Sequence, residues 1–373
     1  ANERKVTIKY IFETHFHADF VSGHLDLSKI TGAPIIYGPG AETAFKVYNS
    51  SDGEIFKLGK LTIEVLHTPG HTIESTCYLL RDEEGAPHAI FTGDTLFVGD
   101  VGRPDLSSGD LSSDELAGIM YDTLQHKIIP LPDHVIVYPA HGAGSSCGKN
   151  LGPETYSTIG EQKRSNYALQ PQTRDEFIRA VTDGLAIAPK YFAINARINM
   201  EGYDSLEEVK QNGLTPLDLV AFKEQMADGV LVLDTRHASA FTQGFIPGSV
   251  FIGLEGRFAE WAGSLLPFDQ PMILVTEPGT EEETVVRLSR VGFDKMKGFL
   301  KGGFDTWKDS GEPIDMIIDV EADELAMDIP HDPNLLIVDV RKETESADGH
   351  VKNAENFPLN DMTDVMKLSH FED

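Results

Sequence analysis

Short apolar runs separated by turn residues dominate the first half of the chain. Residues 6–13 (VTIKYIFE) are rich in β-branched and aromatic side chains and predict a buried strand. Helical spacing follows over 21–30, and GAPIIYGPG encloses a short strand between turn signals. Residues 61–66 alternate like a strand, and 77–80, 88–91 and 134–138 predict three more. Helices are expected over 113–126, 153–163 and 173–187. Several of these strands end in loops that carry His or Asp: THFHAD, HTPGHT, TGDT and PAHG. Layered α/β architecture puts its functional loops at strand ends in this way.

The second half is different in kind. After a partly helical connector at about 189–228, GVLVLDTR predicts a strand followed by an acidic–basic pair. LVLDTRHASAFTQGFIPGSVFIGL then aligns with LIVDVRKETESADGHVKNAENFPL further on, which marks an internal repeat whose second copy is short.

Composition narrows the chemistry. The chain has 373 residues, 40% hydrophobic and 24% charged, which predicts two or three globular domains. The formal net charge of −29 opposes nucleic acid and anionic membranes as partners. No run approaches the ~20 apolar residues of a membrane span. The opening ANERKVTIKYIFETH runs straight into a strand, as though the chain starts inside a domain. Two cysteines, Cys77 and Cys147, exclude a disulfide framework, and with 13 histidines beside them any metal site is expected to use nitrogen and oxygen ligands. Cys77 falls in a strand and reads as a buried structural residue.

His15, His17 and Asp19 lie in HxHxD, His71 in PGHT, Asp94 in GD and His141 in AHG. Any one of these is weak, but the ordered set is a strong joint signal. In this order the chain, over about residues 6–195, resembles the metallo-β-lactamase superfamily. That pattern continues HxHxDH, and here the last position is Phe20, which argues for one metal rather than two. Among single-metal members, HADFVSG, TPGHTIESTCYLL, FTGDTLFVGDVGRPD and YPAHGAGSSCG are most similar to the persulfide dioxygenases.

The resemblance implies an α/β fold: a metallo-β-lactamase αββα sandwich lacking its N-terminal strands, over 1–195, then a helical linker over 196–227. It implies one Fe(II), with Zn as the alternative, on His17, His71 and Asp94. His15, Asp19 and His141 are expected to orient or hydrogen-bond those ligands. Arg103 is expected to bind an anionic substrate, and Cys147 to meet persulfide sulfur. The substrates implied are a small thiol persulfide, such as glutathione persulfide, and O2. A cytoplasmic homo-oligomer is expected. A zinc-dependent thioester hydrolase of the glyoxalase II kind is the alternative, and a non-enzymatic scaffold a further one.

Residues 228–315 resemble a rhodanese domain, and 316–373 a partial second one, with Asp339, Arg341 and His350 matching its early motifs. Rhodanese chemistry needs a cysteine in the loop that here reads VTEPGTEEE, at 275–283. That loop has none, and its acidic run opposes an anionic intermediate, so this unit is expected to serve as scaffold or docking surface.

Overall fold

The computed structural model describes residues 3–106, 111–149, 151–185, 187–332, 334–363 and 367. Internal contacts divide the chain into two units, Ala1–Glu208 with Ser289–Gly292, and Val209–Leu288 with Phe293–Asp373.

The first unit holds two sheets. β1 (Ile11–Phe12), β2 (Ile35–Tyr37) and β3 (Tyr48–Asn49) form a small parallel sheet. β4 (Ile55–Leu58), β5 (Leu61–His67), β6 (Thr76–Arg81), β7 (Pro87–Gly93), β8 (Ile136–Pro139) and β9 (Ser157–Thr158) form the second sheet in sequence order. Its pairs are antiparallel except for β7 with β8.

Strand alternation assigns side chains to different cores. On β2, Ile36 joins Val65 and Tyr78 between the sheets, whereas Ile35 and Tyr37 join Ile11 and Phe16 on the other face. There Leu25 of α1 (His24–Thr31) and Met200 of α5 (Tyr191–Glu201) pack against them. On β6, Cys77 and Leu79 face Met120 of α2 (Ser113–Thr123), Ile159 of α3 (Ile159–Ser165) and Phe177 of α4 (Arg174–Thr182). Helices therefore cover both outer faces of two stacked sheets, the αββα order expected.

Three expectations shift. The strand predicted over 6–13 is laddered only at Ile11–Phe12, and Val6 is exposed. The helix predicted from 153 begins at Ile159, where a Thr158–Glu161 capping box starts it. α5 is a full helix in the first unit and runs across the expected boundary at 195.

In the second unit, β10 (Pro216–Leu217), β11 (Leu231–Asp234), β12 (Val250–Phe251), β13 (Met272–Val275) and β14 (Met296–Leu300) form an all-parallel sheet ordered β10-β14-β13-β11-β12. The internal repeat appears as geometry. Asp234 pairs with Phe251 across β11–β12, and Asp339 with Asn356 across the parallel pair β15 (Val338–Asp339) and β16 (Glu355–Asn356), the same separation in both. Each aspartate holds the arginine two residues on, and that arginine donates to a glycine carbonyl eight residues further, Arg236 to Gly244 and Arg341 to Gly349.

Candidate metal centre

The strand-end loops of the first unit converge. Donor atoms of His15, His71 and Asp94 lie within 4.8 Å of one another, and so do those of His17, Asp19 and His141. A third such set, Asp94, His141 and Cys147, overlaps both. Asp94 links them: its Oδ2 stands 3.7 Å from His15 Nε2 and 3.4 Å from His71 Nε2, and its Oδ1 stands 3.4 Å from His141 Nε2. His141 Nε2 is also 3.6 Å from Asp19 Oδ2.

The triad expected from the sequence, His17 with His71 and Asp94, is not one of these sets; His15 occupies the place given to His17. The reason is ring anchoring. His15 Nδ1 hydrogen-bonds the Thr14 hydroxyl at 2.9 Å, and His71 Nδ1 donates to the Arg103 carbonyl at 2.8 Å. Both Nε2 atoms are thereby turned to Asp94. His17 is turned the other way, with Nε2 3.6 Å from Glu13 and a buried Nδ1 that has no partner.

Close backbone approach makes this packing possible. Gly93, at φ 53°, precedes Asp94, and a Cβ there would sit 2.6 Å from the Thr14 hydroxyl that anchors His15. A Cβ on Gly102 would lie 2.2 Å from the Asp94 carbonyl and 2.9 Å from His71 Nδ1.

Electrostatics favours a cation. Burial pushes the His15 imidazole well below its usual range and His17 down to about 4, so both present neutral lone pairs. Burial would raise Asp94, but the surrounding imidazoles of His15, His141 and His71 hold its carboxyl well below the usual carboxylate range. His141 resists burial because Asp94 and Asp19 push it up to about 9. Burial raises Asp19, and it takes Glu13 to about 7.

The residues present fit a metal ion. Both Asp94 oxygens, His17 Nδ1, Asp19 Oδ1 and His141 Nε2 are buried with no hydrogen-bond partner. Orphaned buried groups are costly, and a cation would satisfy them together. Two ligands each ~2.1 Å from one tetrahedral ion stand roughly 3.4 Å apart, close to the spacing around Asp94.

The two expected substrate-contacting residues have other engagements. The Arg103 guanidinium makes a two-pronged pair with Asp105 at 2.6 and 2.7 Å and is almost wholly buried. Cys147 is buried beside Asp94 and His141; burial, then the charges of Asp94 and Asp19, push its thiol well up. Cys77 is a buried core residue, as expected.

Sequence reasoning missed Thr14, Glu13 and Asn199. Thr14 and Glu13 directly precede HxH at a strand end, a position that could have drawn attention. Asn199 carries no local signal.

In the second unit, the glutamates of the loop expected to hold a cysteine fall largely on a helix. Glu281, Glu282 and Glu283 fill the first turn of Glu281–Ser289, where carboxylates complement exposed N–H groups. Among the described residues no helix is long and apolar enough to cross a membrane.

Residues 2–141 match the metallo-β-lactamase superfamily, and residues 218–310 match the rhodanese-like domain. A metallo-β-lactamase of known structure from Staphylococcus aureus subsp. aureus COL aligns with a TM-score of 0.71 and 30% identity, over 80% of this chain and 87% of that one. Glyoxylase B2 of Dictyostelium discoideum is 30% identical over 238 residues, 57% of this chain and 76% of that protein. The probable hydroxyacylglutathione hydrolase glo2 of Schizosaccharomyces pombe is 35% identical over 139 residues, 37% of this chain. The chain spans about half the length of that protein and of several other curated relatives it matches. With its converging histidines and shared aspartate, the chain belongs to the metallo-β-lactamase superfamily and carries a rhodanese-like domain after the metal-type unit.

Proposed function

We propose that the first unit is an iron-dependent persulfide dioxygenase. The observation that supports this most is Phe20. Its ring stacks on His17 at 4.5 Å with a 25° tilt, an apolar face beside the set of Asp19 and His141. Phe20 stands where the HxHxDH pattern has its last histidine, so that set gains no third imidazole, and a neutral thiol lies nearby. A two-metal hydrolase needs both sets filled, whereas His15, His71 and Asp94 alone would hold one ion with two imidazoles and a carboxylate, a donor set that suits Fe(II) chemistry with O2. Bound Fe(II) would supply O2 activation and a soft attachment point for sulfur.

The chain's own residues do the rest. Thr14 and the Arg103 carbonyl keep the rings of His15 and His71 in one orientation. Asp94 balances the ion's charge. Phe20 and Phe97, the latter 5.9 Å from the His141 ring, help exclude water. His141 and Asp19 offer polar contacts beside the open side of Asp94. In balance, R–S–S⁻, O2 and H2O yield R–SH and hydrogen sulfite: the S–S bond breaks, the outer sulfur is oxidised and O2 is reduced. Arg103, held by Asp105, shapes the backbone that anchors His71, and Cys147 needs no covalent role. The attached rhodanese-like unit favours sulfur as the reacting atom; lacking a loop cysteine, it serves as scaffold.

A second reading has support of its own. The relatives named as hydroxyacylglutathione hydrolases favour thioester cleavage, for which the same centre would hold zinc. Both readings share a glutathione-type carrier. The test is anaerobic loading with Fe(II), then addition of glutathione persulfide or a hydroxyacylglutathione thioester. Oxygen uptake matched by sulfite supports the dioxygenase; thioester cleavage without oxygen uptake overturns it.

A further inference from the structure

The loop that carries His17 and Asp19 makes few backbone bonds of its own, yet it is buried: His17 and Ser22 are almost inaccessible. Its backbone groups need partners from elsewhere. The Val21 N–H donates to the Arg290 carbonyl at 2.7 Å, and three further groups find their partners in one side chain on α5. Asn199 Nδ2 donates to the carbonyls of His17 and Phe20, each at 2.8 Å, and the Ser22 N–H donates to Asn199 Oδ1 at 2.9 Å. Asn199 is itself fully buried.

We infer that Asn199 is a positioning residue of the metal centre, holding the loop from His17 to Ser22, with Asp19, against the side of Asp94 that faces His141. The three bonds fall at residues 17, 20 and 22 and so bracket Asp19. Only an amide can do this in so short a side chain, because it offers two donors and one acceptor. Aspartate would set oxygen against two carbonyl oxygens; leucine would leave three backbone groups orphaned. Asn195, one turn earlier on α5, supplies a built-in contrast: it is equally buried, and neither of its amide atoms has a partner.

The inference rests on the metal-centre reading but not on the reaction, so the test reads metal and loop rather than turnover. The full chain is compared with Asn199→Asp, Asn199→Ala and Asn195→Ala by competition for Fe(II) or Zn(II) against a chelator. Hydrogen exchange of residues 17–22 is followed in the metal-free proteins. Both Asn199 variants should lose up to roughly 10-fold in metal affinity, the low end for changes in the groups around a site, with faster exchange confined to the loop. Asn195→Ala should keep its affinity. Rapid exchange of the Ser22 amide in the unaltered protein would overturn the inference with no variant needed. So would wild-type affinity in a folded Asn199 variant, or an equal loss in Asn195→Ala. Failure of persulfide oxidation with these results intact would count against the proposed function alone.

Discussion

The two units treat buried polar groups in opposite ways. In the first, the orphaned groups include both oxygens of Asp94, one or both nitrogens of His17, His24 and His141, and the amide of Asn195; in the second, among the described residues, only the Ser249 hydroxyl is left over. The second unit buries a carboxylate too, but Asp234 is matched at once by Arg236 with bonds of 2.7–3.0 Å. Buried polar atoms are nearly always satisfied, so the exceptions that gather around Asp94, at His17, Asp19 and His141, mark where the fold has given up stability for a ligand. The second unit, with one hydroxyl left over among its described residues, has already neutralised its charged pair, which suits a scaffold.

The largest expected effect falls on the ligands. His15→Ala and His71→Ala should each release the metal completely on desalting, read by metal analysis, while His17→Ala should retain a fraction. Full retention in His15→Ala would return the assignment to His17. Next, Arg236→Ala should destabilise the second unit by about 3–5 kcal/mol, because it strands a buried carboxylate, and should leave metal content unchanged; denaturant melts and metal analysis on one sample separate the two. The equivalent Arg341→Ala should do far less, since Arg341 is 48% exposed. A change in metal content would break the contrast between units.

Phe20→His should add a donor beside Asp19 and His141 and raise metal stoichiometry from one toward two. An unchanged stoichiometry would mean Phe20 is not what limits the site. The smallest effect is expected at the thiols. Both cysteines are buried and held protonated, so neither should react quickly with a thiol reagent before unfolding. Cys147→Ser should keep most activity; its loss would restore a covalent role for Cys147.

The sequence made the members of the centre legible but not their partnership. HxHxD, PGHT, GD and AHG named all six of the converging His and Asp residues. Which histidine joins Asp94 depends on which ring nitrogen is anchored, and that follows from Thr14 and a carbonyl of Arg103, neither visible as chemistry in the chain. Arg103 reads from the sequence as either a substrate contact or a surface pair with Asp105, and the structure shows the pair, with the guanidinium buried rather than at the surface. Asn199 could not be found at all, because its partners lie 177–182 residues earlier. The layered fold was readable from apolar runs and strand-end loops. The extent of β1 was not, since β-rich residues 6–10 find no ladder partner, and no propensity supplies one.

The most direct measurement of the central claim is stoichiometry under turnover. The full chain, loaded anaerobically with Fe(II) and mixed with glutathione persulfide, should bind one iron and consume one O2 for each sulfite released. Two metals per chain with thioester cleavage and no oxygen consumption would contradict it.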